Sequence, residues 1–237
     1  MKVLVLGHTG MLGHTVMKYL ARQNHTVKIV KGRWPDDNFL TEIINMDVDY
    51  VINCIGAIPQ RTKDFDINYE LPIWLDKNLE CKVINPGTDC EMDNDHYGVS
   101  KVNASDYIKR DGKRTKIIKT SIIGHELNSS HGLLEWFLGS EGKVYGYNKF
   151  YWNGNTTLEW AIVCEDLMMK WDKYEVEHII TSDCISKYQL LKKISKIYGK
   201  QILISKQSDV EANKCLKGEM RESIDIQLQE LKDFYDN

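Results

Sequence analysis

Nowhere in the chain does an apolar run approach the roughly eighteen residues that a membrane-crossing helix needs, so no span is expected. Proline is scarce, at four in 237 residues, and no Pro-, Ser- or Gly-rich tract marks a linker or a low-complexity tail. An excess of either charge is also missing. With 31 basic against 34 acidic residues the net charge is −3, which gives nucleic acid or an anionic membrane nothing to attract, so an anionic ligand must be met by local groups. The six cysteines, Cys54, Cys81, Cys90, Cys164, Cys184 and Cys215, contain no C-x-x-C pair and have no histidines at metal-ligand spacing. No metal site is expected, and all six are read as reduced, mostly buried thiols. Met1 is followed at once by KVLVL, with neither a basic leader nor a cleavage site, so a cytoplasmic location is expected.

What is present is an alternation of short apolar runs with helical periodicity. KVLVL (2–6) reads as a strand buried on both faces, and Met11, Leu12, Val16, Leu20 and Ala21 then recur at helical spacing. The pattern repeats with strands at 25–30, 49–55, 81–85 and 115–123 and helices at 37–46, 68–79 and 96–109. Such βαβα order implies an α/β fold, a doubly wound parallel sheet with helices on both faces. Beyond Gly124 the order loosens. Helices are expected in HGLLEWFLG, around 158–171 and around 186–198, with an aromatic, glycine-rich loop at 145–155. A first domain at 1–124 and a smaller, less regular lobe at 125–237, some of whose segments return to the sheet, are expected.

Gly7, Gly10 and Gly13 in LGHTGMLGHTV stand at G-x-x-G-x-x-G spacing, where the first strand turns into the first helix. A diphosphate lying on the N–H groups of a helix N-terminus needs backbone without Cβ atoms, so the position and spacing point to dinucleotide binding. Thr9, Met11 and Leu12 belong to the same turn. Past the second strand stand Lys31 and Arg33, where an acidic residue would bind a ribose 2′-hydroxyl and a cation accommodates a 2′-phosphate; NADP(H) is favoured over NAD(H). Asn53, Gly56 and Ala57 close the third strand on the edge where parallel strands line a crevice.

In PGTDCEMDNDHYGVSK, Tyr97 and Lys101 stand four apart on one helix face, and Thr88 follows the fourth strand. A phenol with a reference pKa of about 10 is a poor acid at neutral pH, and a neighbouring ammonium is expected to make it a better one. A threonine hydroxyl at the strand end can orient a carbonyl for proton transfer. Asp89 reads either as a ligand for a sugar hydroxyl or as the closure of an Asx-turn. Among the later aromatics, Trp136, Tyr145, Tyr147, Tyr151 and Trp152 fit either a stacking surface for a base or the core of the lobe, with the core favoured.

Together, GHTGMLG (7–13), NCIGA (53–57), GTD (87–89), YGVSK (97–101) and KTSIIG (119–124) resemble the extended short-chain dehydrogenase/reductase superfamily, and within it the dTDP-4-dehydrorhamnose reductase group. The resemblance implies a Rossmann-like NADP-binding domain over 1–124 and a substrate-binding lobe beyond it. It implies that Thr88, Tyr97 and Lys101 are catalytic and that Asn68 lies near the cofactor. YWNGNTTLEWA (151–161) is similar to a loop that shapes the sugar-nucleotide pocket in relatives, which makes Trp152 and Asn153 substrate candidates beside Asp89. The activity implied is NADPH-dependent reduction of a nucleotide-linked 4-keto-6-deoxy sugar, in a possible homodimer. A nucleotide-sugar epimerase with retained NAD(P) and a silent dinucleotide-binding protein are the alternatives. Related dehydratases follow the threonine with Asp and Glu, whereas here Cys90 follows Asp89, so a dehydratase is disfavoured. Only eight residues separate Thr88 from Tyr97, and the segment between the second and third strands is short, leaving room for one sheet strand fewer than in relatives.

Overall fold

The computed structural model describes residues 1–236. Its first strands and helices follow the alternation: β1 (Lys2–Leu6), α1 (Met11–Arg22), β2 (Thr26–Lys28), α2 (Asp37–Ile44), β3 (Tyr50–Asn53), α3 (Ile67–Asn78), β4 (Lys82–Gly87), α4 (His96–Asp111) and β5 (Thr115–Lys119). There follow β6 (Ile122–Ile123), α5 (Leu133–Gly139), β7 (Lys143–Trp152), β8 (Asn155–Thr156), α6 (Thr157–Met169), β9 (Glu177–Thr181), β10 (Ile185–Ser186), α7 (Lys187–Ile197), β11 (Leu203–Asn213), β12 (Glu219–Met220) and α8 (Ile224–Asp236). A seven-stranded sheet runs in the order β12-β9-β5-β4-β3-β1-β2. All its described pairings are parallel, as the α/β reading requires.

Two compact units form. Among the described residues the first comprises 1–119 and 161–178, and the second 120–160 and 179–236. In the first unit Val3, Leu4, Val5, Val51, Ile52, Val83 and Ile84 are fully buried, which is why these strands read as continuous apolar runs rather than as alternation. The apolar stripe of α1, Leu12, Val16 and Leu20, is buried as well. β2 forms one edge of the sheet, in keeping with the short connection from it to β3. Residues 161–178 are tied in by polar bonds. Glu165 accepts from Tyr19 Oη at 2.7 Å and from His25 Nε2 at 2.8 Å, and Tyr50 Oη donates to the Met168 carbonyl at 2.7 Å.

Four local expectations are corrected. The 25–30 run keeps only three residues as strand. The 115–123 run breaks in two: β5 stays in the large sheet, while β6 pairs with β8 in a separate two-stranded sheet. The supposed loop at 145–155 is mostly β7, ten residues long, which pairs with β10 and β11 in a three-stranded sheet of the second unit. Gly146 suits this strand because a Cβ there would sit 2.7 Å from Tyr188 Cα, so the glycine lets α7 pack directly on β7. Finally, Cys184 and Cys215 are not free thiols. They form a disulfide between the loops that precede β10 and follow β11, with Cα atoms 5.9 Å apart, while Cys54, Cys81, Cys90 and Cys164 stand outside any disulfide.

Within the second unit, buried Gln227 of α8 donates to Asn155 Oδ1 at 2.9 Å and accepts from Thr156 N at 2.9 Å. His125 joins α5 and α7 by bonding Glu135 at 2.6 Å and Tyr198 Oη at 3.0 Å.

Candidate functional site

Parallel pairing places three strand ends on one edge of the first unit's sheet. Leu6 of β1 stands opposite Asn53 of β3, and Ile52 stands opposite Ile84 of β4, so the segments beginning at Gly7, Cys54 and Thr88 all leave by the same side. The order of strands reverses at β1, which pairs with β2 on one side and β3 on the other. In open α/β sheets, ligands sit at such a switch point.

The glycine turn is shaped by backbone approach. Gly7 has φ +73°, a left-handed conformation, and a Cβ on it would lie 2.8 Å from the Cys54 carbonyl oxygen. A Cβ on Gly13 would lie 2.2 Å from the Gly7 carbonyl oxygen. Gly10 N–H closes the turn on Gly7 O at 2.9 Å, and Gly10 N-caps α1 without a side chain over the helix end. The first-turn N–H groups of α1 are thus left for an anion, and the cradle fits a dinucleotide diphosphate. Thr9 is exposed at the rim, Met11 is half-buried and Leu12 is core. Lys31 and Arg33 stand exposed just beyond β2.

Asn53 and Asn68 are both buried and act through bonds to the edge itself. Asn53 Nδ2 donates to Asn85 Oδ1 at 2.9 Å, and its Oδ1 accepts from Ile55 N at 3.1 Å. Asn68 Oδ1 accepts from Ala57 N at 2.8 Å while its Nδ2 donates to Ala57 O at 3.0 Å and to Ser100 Oγ at 3.2 Å. Ser100 Oγ donates in turn to the Tyr97 carbonyl at 2.7 Å. One carboxamide therefore locks the Gly56–Ala57 loop to α4.

Thr88, Tyr97 and Lys101 are brought together. Asp95 N-caps α4 by accepting from Gly98 N at 2.7 Å, which starts the helix in register to carry Tyr97 and Lys101 on one face. Thr88 caps a short 3-10 turn, Asp89–Met92, with a full capping box: Thr88 Oγ1 accepts from Cys90 N at 3.2 Å, and Thr88 N donates to Glu91 Oε1 at 3.2 Å. Tyr97 packs edge-on against Phe65, ring centroids 5.6 Å apart. Burial raises its pKa well above the usual phenol value, with Cys90, Asp89 and Glu91 adding to the rise and a hydrogen bond from Thr88 opposing it. Lys101 Nζ donates to the Pro86 carbonyl at 3.1 Å, and burial lowers its pKa against the pull of Glu91 and Cys90. The expected acidification of the phenol by Lys101 is thus overturned: desolvation dominates, and Tyr97 is held protonated.

Asp89 is buried and accepts from Thr88 Oγ1 at 3.1 Å, so its carboxylate orients the threonine hydroxyl. Glu91, the glutamate nearest to the position a dehydratase would use, has one oxygen on Thr88 N and the other on Lys119 Nζ at 2.7 Å. In the second unit, Trp152 and Asn153 are buried; Asn153 Nδ2 donates to Leu216 O and its Oδ1 accepts from Leu216 N, both at 2.9 Å.

The same unit holds a feature that the sequence reading underrated. A cavity of about 660 Å³ is lined by Trp136, Lys143, Tyr145, Tyr147, Phe150 and Lys187 among others. Trp136 and Tyr145 are 42% and 53% exposed, and Tyr147 and Tyr151 are exposed as well, so of the five aromatics that fitted either a stacking surface or the core only Trp152 is core. The alternation of β7, with Lys143, Tyr145 and Tyr147 outward and Val144 and Gly146 inward, was the signal that could have shown this.

Fold and site together define a Rossmann-like α/β chain with a Tyr-x-x-x-Lys helix beside the ligand-binding edge of its sheet. Residues 3–107 match the model of the NAD dependent epimerase/dehydratase family, which bears out the extended-superfamily resemblance carried by the motifs. The chain is similar in structure to a dTDP-4-dehydrorhamnose reductase from Clostridium acetobutylicum, at 15% identity and TM-score 0.72 with 100% of each chain covered. It is similar to another from Bacillus anthracis in complex with NADP, at 13% identity and TM-score 0.75 with 98% of each covered. A UDP-N-acetylglucosamine 4-epimerase from Bacillus cereus stands alongside, at 16% identity and TM-score 0.72 with 100% of this chain and 99% of that one covered. At such identities the likeness is one of fold. No curated protein sequence matches the chain.

Proposed function

We propose that this protein is an NADPH-dependent reductase of a nucleotide-linked 4-keto-6-deoxy sugar. The observation that carries the reading is the junction of Thr88 beside a buried Tyr97, Lys101 one helical turn on, and the glycine cradle of α1, all within one unit on one sheet edge. The bound dinucleotide supplies a hydride to the sugar carbonyl. Lys31 and Arg33 meet the 2′-phosphate, and the α1 N-terminus meets the diphosphate.

Tyr97 carries the proton for the oxygen that becomes an alkoxide. A phenol held protonated by burial is fully loaded at neutral pH, and an alkoxide is so much the stronger base that the transfer runs downhill. When the keto sugar enters, the Thr88 hydroxyl turns its one proton from the Asp89 carboxylate to the carbonyl oxygen. Lys101, anchored on Pro86 O, places an ammonium beside the nicotinamide ribose.

The test is mass spectrometry of the products made from NADPH and dTDP-, UDP- and GDP-linked 4-keto sugars. One keto sugar is expected to be reduced with stoichiometric NADPH loss, and Tyr97→Phe is expected to lower kcat about 10²–10⁴-fold. Interconversion of sugars without NADPH consumption would show an epimerase instead. Replacing Lys31 and Arg33 by alanine is expected to raise the KM for NADPH about tenfold while leaving that for NADH unchanged.

A further inference from the structure

Behind the Thr88–Tyr97–Lys101 group lies a carboxylate that no motif assigns. Glu91 is 5% exposed, and each of its oxygens is committed: Oε1 accepts from Thr88 N at 3.2 Å and Oε2 from Lys119 Nζ at 2.7 Å. Lys119, on β5, is itself 13% exposed and lies 3.7 Å from Glu177 on β9, which also faces Lys109 of α4 at 3.8 Å. From α4, Tyr97 and Lys101 feel the charge of the same carboxylate, and Asp89 and Cys90 share its turn.

We propose that Glu91 is a positioning residue of this site: its carboxylate, clamped between the Lys119 ammonium and the Thr88 N–H, fixes the threonine's turn and sets a negative charge beside the Tyr97–Lys101 helix. The proposal rests on the reductase reading for its catalytic meaning and on the clamp geometry for its physical content. A glutamate with one free oxygen would be an ordinary member of a capping box. This one is also a paired buried charge, which the fold retains only because both oxygens are satisfied. Its consequence for chemistry is that the negative charge opposes the loss of the Lys101 proton that burial favours.

The experiment follows Lys101 in the intact protein with ¹³Cε-labelled lysine, the resonance being assigned by its loss in Lys101→Met. In Glu91→Gln, whose amide oxygen can still cap Thr88, the Lys101 titration midpoint is expected to move to lower pH by about half a unit or more. In Lys119→Met, which removes the ammonium and keeps the carboxylate, the midpoint is expected to stay or rise. An unmoved midpoint in Glu91→Gln, or a fall in both variants, overturns the proposal; the second outcome is what mere loosening of the turn would produce. Should Glu91→Gln not fold, a fall in Lys119→Met alone decides against. With the keto sugar, Glu91→Gln is expected to lose about tenfold in kcat with KM for NADPH within twofold, and the alkaline limb of its pH profile is expected to start at lower pH. The titration needs no substrate. Absence of turnover in the wild type therefore refutes the reductase reading without touching the Glu91 result.

Discussion

A buried phenol and a buried ammonium respond to burial in opposite ways, and at the scale of single residues this decides the pH dependence. Desolvation disfavours whichever form is charged, so Tyr97 keeps its proton beyond the ordinary phenol value, while Lys101 loses its proton below the ordinary lysine value. Reduction needs the proton on Tyr97 and the charge on Lys101. As pH rises, Lys101 is the first to fail, because its pKa has moved down toward the working range and that of Tyr97 has moved up and away. The kcat/KM for the keto sugar is therefore expected to fall on the alkaline side below pH 10.5, the ordinary lysine value, and Lys101→Arg, always charged, is expected to remove that limb even if its rate is low. A pH–rate profile of both proteins checks this. Thr88, Tyr97 and Lys101 were legible because their spacing is local. Glu91 was not, since its partner Lys119 is 28 positions further on and meets it only through the pairing of β4 with β5. Nor could the sequence show the sign of the Tyr97 shift, which is set by how much water the fold removes.

At the scale of elements, glycine carries two different messages. In the turn before α1 the message was read correctly, because a strand precedes the glycines and an amphipathic helix follows. The close approach of Gly13 to the Gly7 carbonyl shows how little latitude the turn has. Gly13→Ala must push α1 away from the end of β1, since the clash is with backbone and not with a side chain that can turn aside. Isothermal titration calorimetry is expected to show NADPH affinity lowered about tenfold or more, with a stability loss of about 1–3 kcal/mol in urea unfolding. In β7 the glycine misled. Gly146 among tyrosines looked like loop chemistry, but it is the point where α7 comes down onto the strand, and the aromatics around it face outward. β11 escaped notice for a related reason: Lys206, Ser208, Asp209 and Glu211 mask its alternation, and the strand is recognisable only through its parallel pairing with β7.

At the scale of the molecule, the two units differ in what holds them. The first has a sheet core of fully buried aliphatic residues, legible as apolar runs, and its thiols Cys54 and Cys164 are driven toward the neutral form by burial. The second is built on smaller sheets and adds a covalent tie, Cys184–Cys215, that closes 31 residues of chain. No spacing rule announces that bridge, since the cysteines meet through β10 and β11 lying on opposite sides of β7. Chain-entropy arguments give a tie of that length about 3–4 kcal/mol, all of it in the second unit. The bridge also borders Leu216, whose backbone Asn153 grips with both ends of its carboxamide, so release of Cys215 loosens the segment that holds a substrate candidate. Reduction with a dithiol is therefore expected to open the second unit first. Limited proteolysis should cut within 182–218 before it touches 1–119, and the lost protection should be matched by Cys184→Ser without reductant. Equal acceleration of cleavage in both units, or none in either, would show that the tie does not carry the stability assigned to it.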